Sequence, residues 1–321
     1  MKRTFLVSLG TFDGLHRGHR KLIGTLQADA RRLGLKVLVA LFAEPPRFHF
    51  QPRARASLLT TASERKSLLL GLGVDRVEVL RFDSKLASMS HERFFDRVLL
   101  LRFKAGGIVA GPDFAFGKGR KGDCAYLRRA CIRHGLHFRM LQPVRSGPAK
   151  ISSSRIRDLL RCGRVERAAK LLGRTYAVSG RVIRGRGLGA KIGFPTANLR
   201  VEGRLLPMGV FEVLVRGAAG TAPSGSGERP PFGDRGPLAA AREESGLRAV
   251  CNIGYRPTVE KDAPPCGPHV EVHIPGYRGN LYGKTLTIEF LRLLRYEKRF
   301  ASLKALVGQI RRDVARIRRA C

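Results

Sequence analysis

The sequence predicts an α/β unit with a parallel sheet over residues 1–173, followed over 174–321 by a β unit closed by a helix. Three observations carry this. Before Gly173, short apolar runs alternate with segments of helical period, the pattern of strand–helix–strand units. After it, short apolar runs are separated by turn residues, which suits a small barrel. At the end, Leu303, Leu306, Val307, Ile310, Val314 and Ile317 share one helix face. A length of 321 residues fits two domains of ~100–200 residues each.

The elements follow in order. Thr4–Leu9 reads as a buried strand. Leu22, Ile23, Leu26, Ala30 and Leu33 recur at helical spacing, and Lys36–Phe42 is a second apolar strand. Thr61-Ala-Ser-Glu64 has the form of a capping box ahead of a helix. Val77–Leu80 is a strand, Ser90 caps a helix over 91–101, Ile108–Ala110 is a strand, and 124–134, 153–161 and 165–172 are helical. In the second unit Tyr176–Ile183, Val210–Val215, Ala249–Ile253, His269–Ile274 and Thr285–Leu291 are strands. The Gly-, Ala-, Pro- and Ser-rich stretch 217–246 reads as a long mobile loop.

Charge is the outlier of the composition. Lys and Arg number 61 against 25 Asp and Glu, a formal net charge of +36. That excludes an acidic chain and suits phosphate-rich ligands. The excess is mostly Arg and is spread along the chain, so compositional bias is preferred to a nucleic-acid partner, for which no recognition motif is visible. The six cysteines form no Cys-x-x-Cys pair. No apolar run approaches the ~18–20 residues of a membrane span. The expectation is a cytoplasmic protein with reduced thiols and no membrane partner.

Chemistry enters at Gly10-Thr-Phe12-Asp-Gly14-Leu-His16-Arg-Gly-His19, between a strand and a helix. Glycines admit close backbone approach and a helix start favours an anion. His16 and His19 can reach one phosphate group and stabilise charge developing there. A tight turn with two surface histidines and a metal site including Asp13 are the alternatives. Ser152-Ser153-Ser154-Arg155-Ile-Arg157 offers hydroxyls and guanidinium groups at a helix start, either for phosphate or as an ordinary cap. In Gly111-Pro-Asp113-Phe114-Ala-Phe116-Gly117, the two Phe either pack in the core or meet the ring of a ligand.

In the second unit Gly185-Arg-Gly187-Leu-Gly-Ala-Lys-Ile-Gly193-Phe-Pro195-Thr196-Ala-Asn198 is the strongest signal. A Gly-rich loop can cradle phosphates through its N–H groups. Thr196 and Asn198, two apart on an extended segment, present oxygens to one side, a hard donor set suited to Mg²⁺. In His269–Ile274, Val270, Val272 and Ile274 take one face and Glu271 and His273 the other. Glu271 alone could as well be a strand-face carboxylate paired with one of the many Arg.

Together these segments resemble the bacterial bifunctional riboflavin kinase/FAD synthetase family, in motif order, from about residue 4 to 318. The His-x-Gly-His run, the Asp113-Phe114 segment and the Ile151–Arg157 run resemble its nucleotidyltransferase half. Gly193-Phe-Pro-Thr-Ala-Asn198, Gly209–Val213, Asn252–Thr258 and Val270–Ile274 resemble its kinase half. The resemblance implies a Rossmann-like nucleotidyltransferase domain, then a six-stranded barrel. It implies phosphorylation of riboflavin by ATP to FMN, then adenylylation of FMN to FAD with release of pyrophosphate.

It further implies Glu271 as general base and Gly187, Gly193, Pro195, Thr196 and Asn198 as the kinase ATP site, with Thr196 and Asn198 on Mg²⁺. Arg295 would line the flavin end or form a salt bridge. In the first domain Gly10, Phe12, Gly14, His16, His19, Ser153, Ser154 and Arg157 would bind ATP. Asp113 and Phe114 would touch flavin or nucleotide. Three departures stand out: Thr11 for Asn, Ser154 for Thr, and Ala43-Glu-Pro-Pro46 where the family has a His after the second strand. The last raises the alternative of a riboflavin kinase with weak or lost adenylylation. A basic nucleic-acid-binding protein is the alternative from another class.

Overall fold

In the computed structural model, residues 3–46, 57–185, 187–217, 246–255 and 268–318 are described. They form two compact units, dividing between Ser153 and Ser154. The helices over 153–172 thus fall almost wholly to the second unit, earlier than a division at Gly173.

The first unit is a five-stranded parallel sheet in the order β3-β2-β1-β4-β5. Its strands are β1 (Phe5–Gly10), β2 (Lys36–Phe42), β3 (Arg76–Leu80), β4 (Ala105–Ala110) and β5 (His137–Met140). Alternation splits the core into two layers. Val7, Leu9, Leu38 and Ala40 meet Phe94, Phe95, Leu99 and Leu127 on one face. Leu6, Val37, Val39 and Leu41 meet Ile23, Leu26, Leu68 and Leu69 on the other. The covering helices are α1 (Arg17–Leu33), α2 (Ala62–Gly71), the short α3 (Ser84–Ser88), α4 (His91–Phe94) and α5 (Cys124–Arg133). Thr61 and Glu64 form the expected capping box on α2. Ser90 caps α4, but from Phe95 to Arg102 the helix is wound as a π-helix. Strand order reverses between β1 and β4, so the carboxyl ends of these two strands flank the crevice where open parallel sheets bind ligands. A small hairpin, β6 (Arg145–Ser146) with β7 (Ala149–Lys150), completes the unit.

The second unit opens with α6 (Ser153–Arg161) and α7 (Val165–Leu172) and continues as a closed barrel in the order β10-β11-β12-β9-β8-β13. The strands are β8 (Tyr176–Ile183), β9 (Ala197–Arg200), β10 (Gly209–Arg216), β11 (Leu247–Gly254), β12 (His269–His273) and β13 (Thr285–Arg295), with the one-turn helix α8 (Leu188–Lys191) between β8 and β9. The short β9 is the sixth strand; its four residues carry no apolar run. Phe211 and Phe290 fill the interior edge to face, with ring centroids 5.4 Å apart. Each such buried side chain contributes about 1.5–3 kcal/mol. Helix α7 packs on β8 and β13. The terminal helix α9 (Leu303–Arg318) buries Val314 and Ile317 against Val210, Val250 and Leu294, while Leu303 stays exposed. The loop expected over 217–246 lies, apart from its two end residues, outside the described residues, as do Arg256–Thr258 of the Asn252 motif.

Candidate functional site

Each unit presents one candidate site. In the sheet unit the chain leaves β1 through a loop of unusual backbone. Gly14 has φ 78°, and the non-glycine residues Phe12 and Leu15 have φ 51° and 38°. Both side chains are buried. The loop delivers His16 as the N-cap of α1, where its Nδ1 accepts from the N–H of His19 at 3.4 Å. Neutral His16 therefore carries its proton on Nε2, as a donor. The two imidazoles stack with centroids 3.7 Å apart and planes 15° from parallel.

Asp13 is not free to bind a metal. Its buried carboxylate accepts from the N–H of Leu59 at 3.1 and 3.2 Å, from the N–H of Thr60 at 3.0 Å and from the Thr60 hydroxyl at 3.1 Å. Among the described residues no cluster of three or more His, Cys, Asp or Glu could hold a metal ion. Ser153 is brought to this loop: its hydroxyl donates to the Asp13 carbonyl at 2.8 Å. Ser154 and Arg157 fall in the second unit, on α6, with Arg157 buried.

At the neighbouring strand end, after β4, Phe114 stacks on Phe116 at 5.6 Å. Phe116 is buried against Phe94 and Tyr126, so it belongs to the core, and Phe114 is half-buried at the edge of that cluster. Asp113 is exposed and ion-paired with Lys150 at 2.7 Å. Sequence reasoning missed Arg65. It is fully buried on α2 and donates to the carbonyls of Thr11, Phe42, Ala43 and Thr61. Burial lowers its pKa, opposed by the nearby charges of Asp13 and Glu64.

In the barrel the candidates are set by register. Asn198 on β9 pairs with Glu271 on β12, and Glu271 pairs with Asn252 on β11. The three side chains thus share one face, while Leu199, Val270 and Ile253 pair on the face that is buried. Asn252 was legible as part of a motif but not as a neighbour of Glu271, because only the pairing reveals it. Gly185 and Pro195 lie beside side chains of this face, Asn198 and His273 respectively. A β-carbon on Gly185 would lie 2.2 Å from the Asn198 amide nitrogen, so any larger residue there would displace the Asn198 side chain. Gly187 and Gly193 have left-handed backbone, with φ 68° and 84°. His273 Nδ1 donates to the Pro195 carbonyl at 2.9 Å and tethers the segment carrying Thr196. The side-chain oxygens of Thr196 and Asn198 are hard donors, which fit Mg²⁺.

Behind the row lies Cys251, fully buried; burial, and then the charge of Glu271, raise the pKa of its thiol. Of the two readings of Arg295, the structure contains the ion pair: Nε donates to Asp313 at 2.9 Å, and Gln309 donates to the other carboxylate oxygen at 2.9 Å. Glu297 was also missed. Its carboxylate lies against Gly254, where a β-carbon would come within 1.6 Å of it, and burial, opposed by Arg295, raises its pKa.

Comparison with known proteins matches both units. The family model described as FAD synthetase matches residues 1–155, and that described as riboflavin kinase matches 172–321. The bifunctional riboflavin kinase/FMN adenylyltransferase of Escherichia coli K12 is 35% identical over 96% of this chain and 90% of its own length. That of Pseudomonas fluorescens is 34% identical over 98% of this chain and 93% of its own. Among solved structures, a macrolide-efflux protein from Streptococcus pneumoniae superposes with a TM-score of 0.81 at 28% identity, covering 99% of this chain and 95% of that one. No helix among the described residues is long and apolar enough to cross a membrane. With both halves matched in order and relatives above 30% identity along nearly the whole chain, the protein belongs to the bifunctional riboflavin kinase/FMN adenylyltransferase family.

Proposed function

We propose that this chain carries out both reactions for which its family is named. The barrel transfers the γ-phosphoryl group of ATP to the 5′-hydroxyl of riboflavin, giving FMN and ADP. The sheet unit joins FMN to the adenylyl group of ATP, giving FAD and pyrophosphate. The observation that carries the reading is the cross-strand row Asn198–Glu271–Asn252, with Gly185 packed closely against the Asn198 side chain.

In the barrel Glu271 takes the proton from the riboflavin hydroxyl as that oxygen attacks phosphorus and ADP leaves. Phosphoryl transfer is mostly positioning and charge neutralisation, so one carboxylate that orients the nucleophile suffices. Asn198 and Asn252 flank Glu271 on the neighbouring strands, and Gly187, Gly193 and Pro195 shape the loop that cradles the triphosphate. Thr196 and Asn198 would hold Mg²⁺, which supplies charge neutralisation at the phosphates. Arg295 fixes α9 against β13 and thereby the flavin end.

In the sheet unit the FMN phosphate attacks the α-phosphorus of ATP and pyrophosphate departs; no protein nucleophile is needed. His16, through its Nε2–H, and His19 steady the charge that builds on the phosphate oxygens. Gly10, Phe12 and Gly14 form the loop the nucleotide enters. Ser153 assists with the phosphates, and Asp113 and Phe114 would touch the flavin or the nucleotide. A cytoplasmic setting, where thiols stay reduced, is part of the same reading.

The test is to incubate the purified chain with riboflavin, ATP and Mg²⁺ and resolve the flavins by chromatography. FAD is the expected end product. FMN alone would favour the kinase with lost adenylylation, motivated by the absent histidine after β2. Formation of neither FMN nor FAD would overturn the reading.

A further inference from the structure

We infer that Asp13 and Arg65 form a reciprocal clamp that holds the loop from Gly10 to Leu15 ready for the nucleotide, with Arg65 a positioning residue for adenylyl transfer. This rests on the reading of the sheet unit as the adenylyltransferase half.

The loop needs holding. Phe12 and Leu15 both sit in the left-handed region, φ 51° and 38°, and neither is glycine. Such backbone persists only where the surroundings impose it. Burial of the two side chains imposes part of it. The polar part comes from one short stretch, residues 59–65. In one direction the loop reaches into that stretch: the Asp13 carboxylate takes the N–H groups of Leu59 and Thr60 and the Thr60 hydroxyl. In the other direction the stretch reaches into the loop. The Thr60 hydroxyl oxygen accepts the N–H of Gly14 at 2.8 Å, and Arg65 donates to the Thr11 carbonyl.

Arg65 does more than mirror Asp13. Its remaining donors go to the carbonyls of Phe42 at 3.0 Å and Ala43 at 2.7 Å, where β2 ends, and to Thr61 at 3.2 Å on the turn into α2. One guanidinium therefore ties the exits of β1 and β2 to the start of α2. A planar fork with five donors can span three chain segments; the three donors of a lysine ammonium, radiating from one atom, cannot reproduce the geometry. Asp13 and Arg65 are also opposite charges, both buried within the same loop cluster.

What the clamp grips is the backbone that sets His16 at the head of α1, and the Asp13 carbonyl is where Ser153 docks. A loop held in its binding form before the nucleotide arrives has a distinct kinetic signature. Loosening it lowers the fraction of competent free enzyme, which raises the apparent dissociation constant in inverse proportion to that fraction and leaves the saturated rate nearly unchanged. A merely structural role would instead lower the amount of active protein, and with it kcat.

The experiment uses the full chain, with Arg65→Met, Arg65→Lys and Thr60→Val beside the wild type. FAD formation from supplied FMN is followed against ATP concentration. The near-isosteric Thr60→Val removes only the hydroxyl that bridges Asp13 and Gly14. Expected is a rise in KM for ATP of about tenfold or more for Arg65→Met, less for Arg65→Lys and Thr60→Val, with kcat kept within about threefold. Amide hydrogen exchange over residues 11–15 should quicken in step. Unchanged KM for ATP and unchanged exchange in the folded variants would overturn the clamp, as would loss of kcat at constant KM. Where Arg65→Met fails to fold, Arg65→Lys and Thr60→Val decide by the same split. A wild type that makes no FAD overturns the adenylyltransferase reading itself, an outcome separate from variants that match an active wild type.

Discussion

The two candidate sites are built on opposite plans. In the barrel the chemistry sits inside strands: Asn198, Glu271 and Asn252 are neighbours because three strands pair in one register. In the sheet unit it sits beyond the strands, on a loop whose strained backbone is held by side chains some 50 residues away, at separations of 46 and 54. A site carried by register tolerates changes around it, but a one-residue slip would turn every member to the wrong face. A site carried by a clamped loop survives such slips elsewhere and is exposed instead to the loss of a single distant polar group.

Substitutions in one chain can break or sharpen this contrast, because two products report on two units. The largest effect is expected from Glu271→Gln, which removes the proton acceptor and keeps the shape. FMN formation should fall about 10²–10⁴-fold, the usual worth of a general base, while FAD formation from supplied FMN stays intact. A parallel loss of both products would end the assignment of Glu271 to the barrel reaction alone. Next, His16→Ala should lower FAD formation about 10²–10³-fold, the range for losing a donor to developing charge, with FMN formation unchanged. Chromatography of the flavins reads both. Smallest is Thr61→Ala, which opens the capping box of α2. It should cost about 1 kcal/mol of stability, read by urea denaturation as an earlier transition of the sheet unit. A shift of the barrel transition instead would contradict the division into separate units.

Much of this was legible in the residues, and the misses have physical causes. β1 and β2 were clear because both are apolar runs, and the capping box at Thr61 because its signal is four residues long. β5 and β9 were missed: His137–Met140 and Ala197–Arg200 are four residues each, and pairing rather than composition makes them strands. The helix beginning at His91 was expected, but apolar spacing does not distinguish α from the π winding that follows Phe94. Local motifs named Glu271, Thr196, Asn198 and His16. They could not name Asn252 as the partner of Glu271, nor Arg65, nor the choice of Asp313 by Arg295, because each depends on a contact between distant segments. Asp13, weighed as a metal ligand, proved to be committed to backbone for the same reason.

One feature of the barrel has a practical use. Val215 and Leu247 face each other directly at the open end of the β10–β11 ladder. Whatever chain joins them starts and finishes at adjacent points, so lengthening it costs little: each doubling adds only about 0.6 kcal/mol of closure entropy. The junction also lies several residues along the ladder from Asn252, on strands whose register is fixed before the joining segment begins. It is a natural port for grafting a fluorescent or affinity module whose own ends are close together, giving a flavin-forming enzyme that reports on itself.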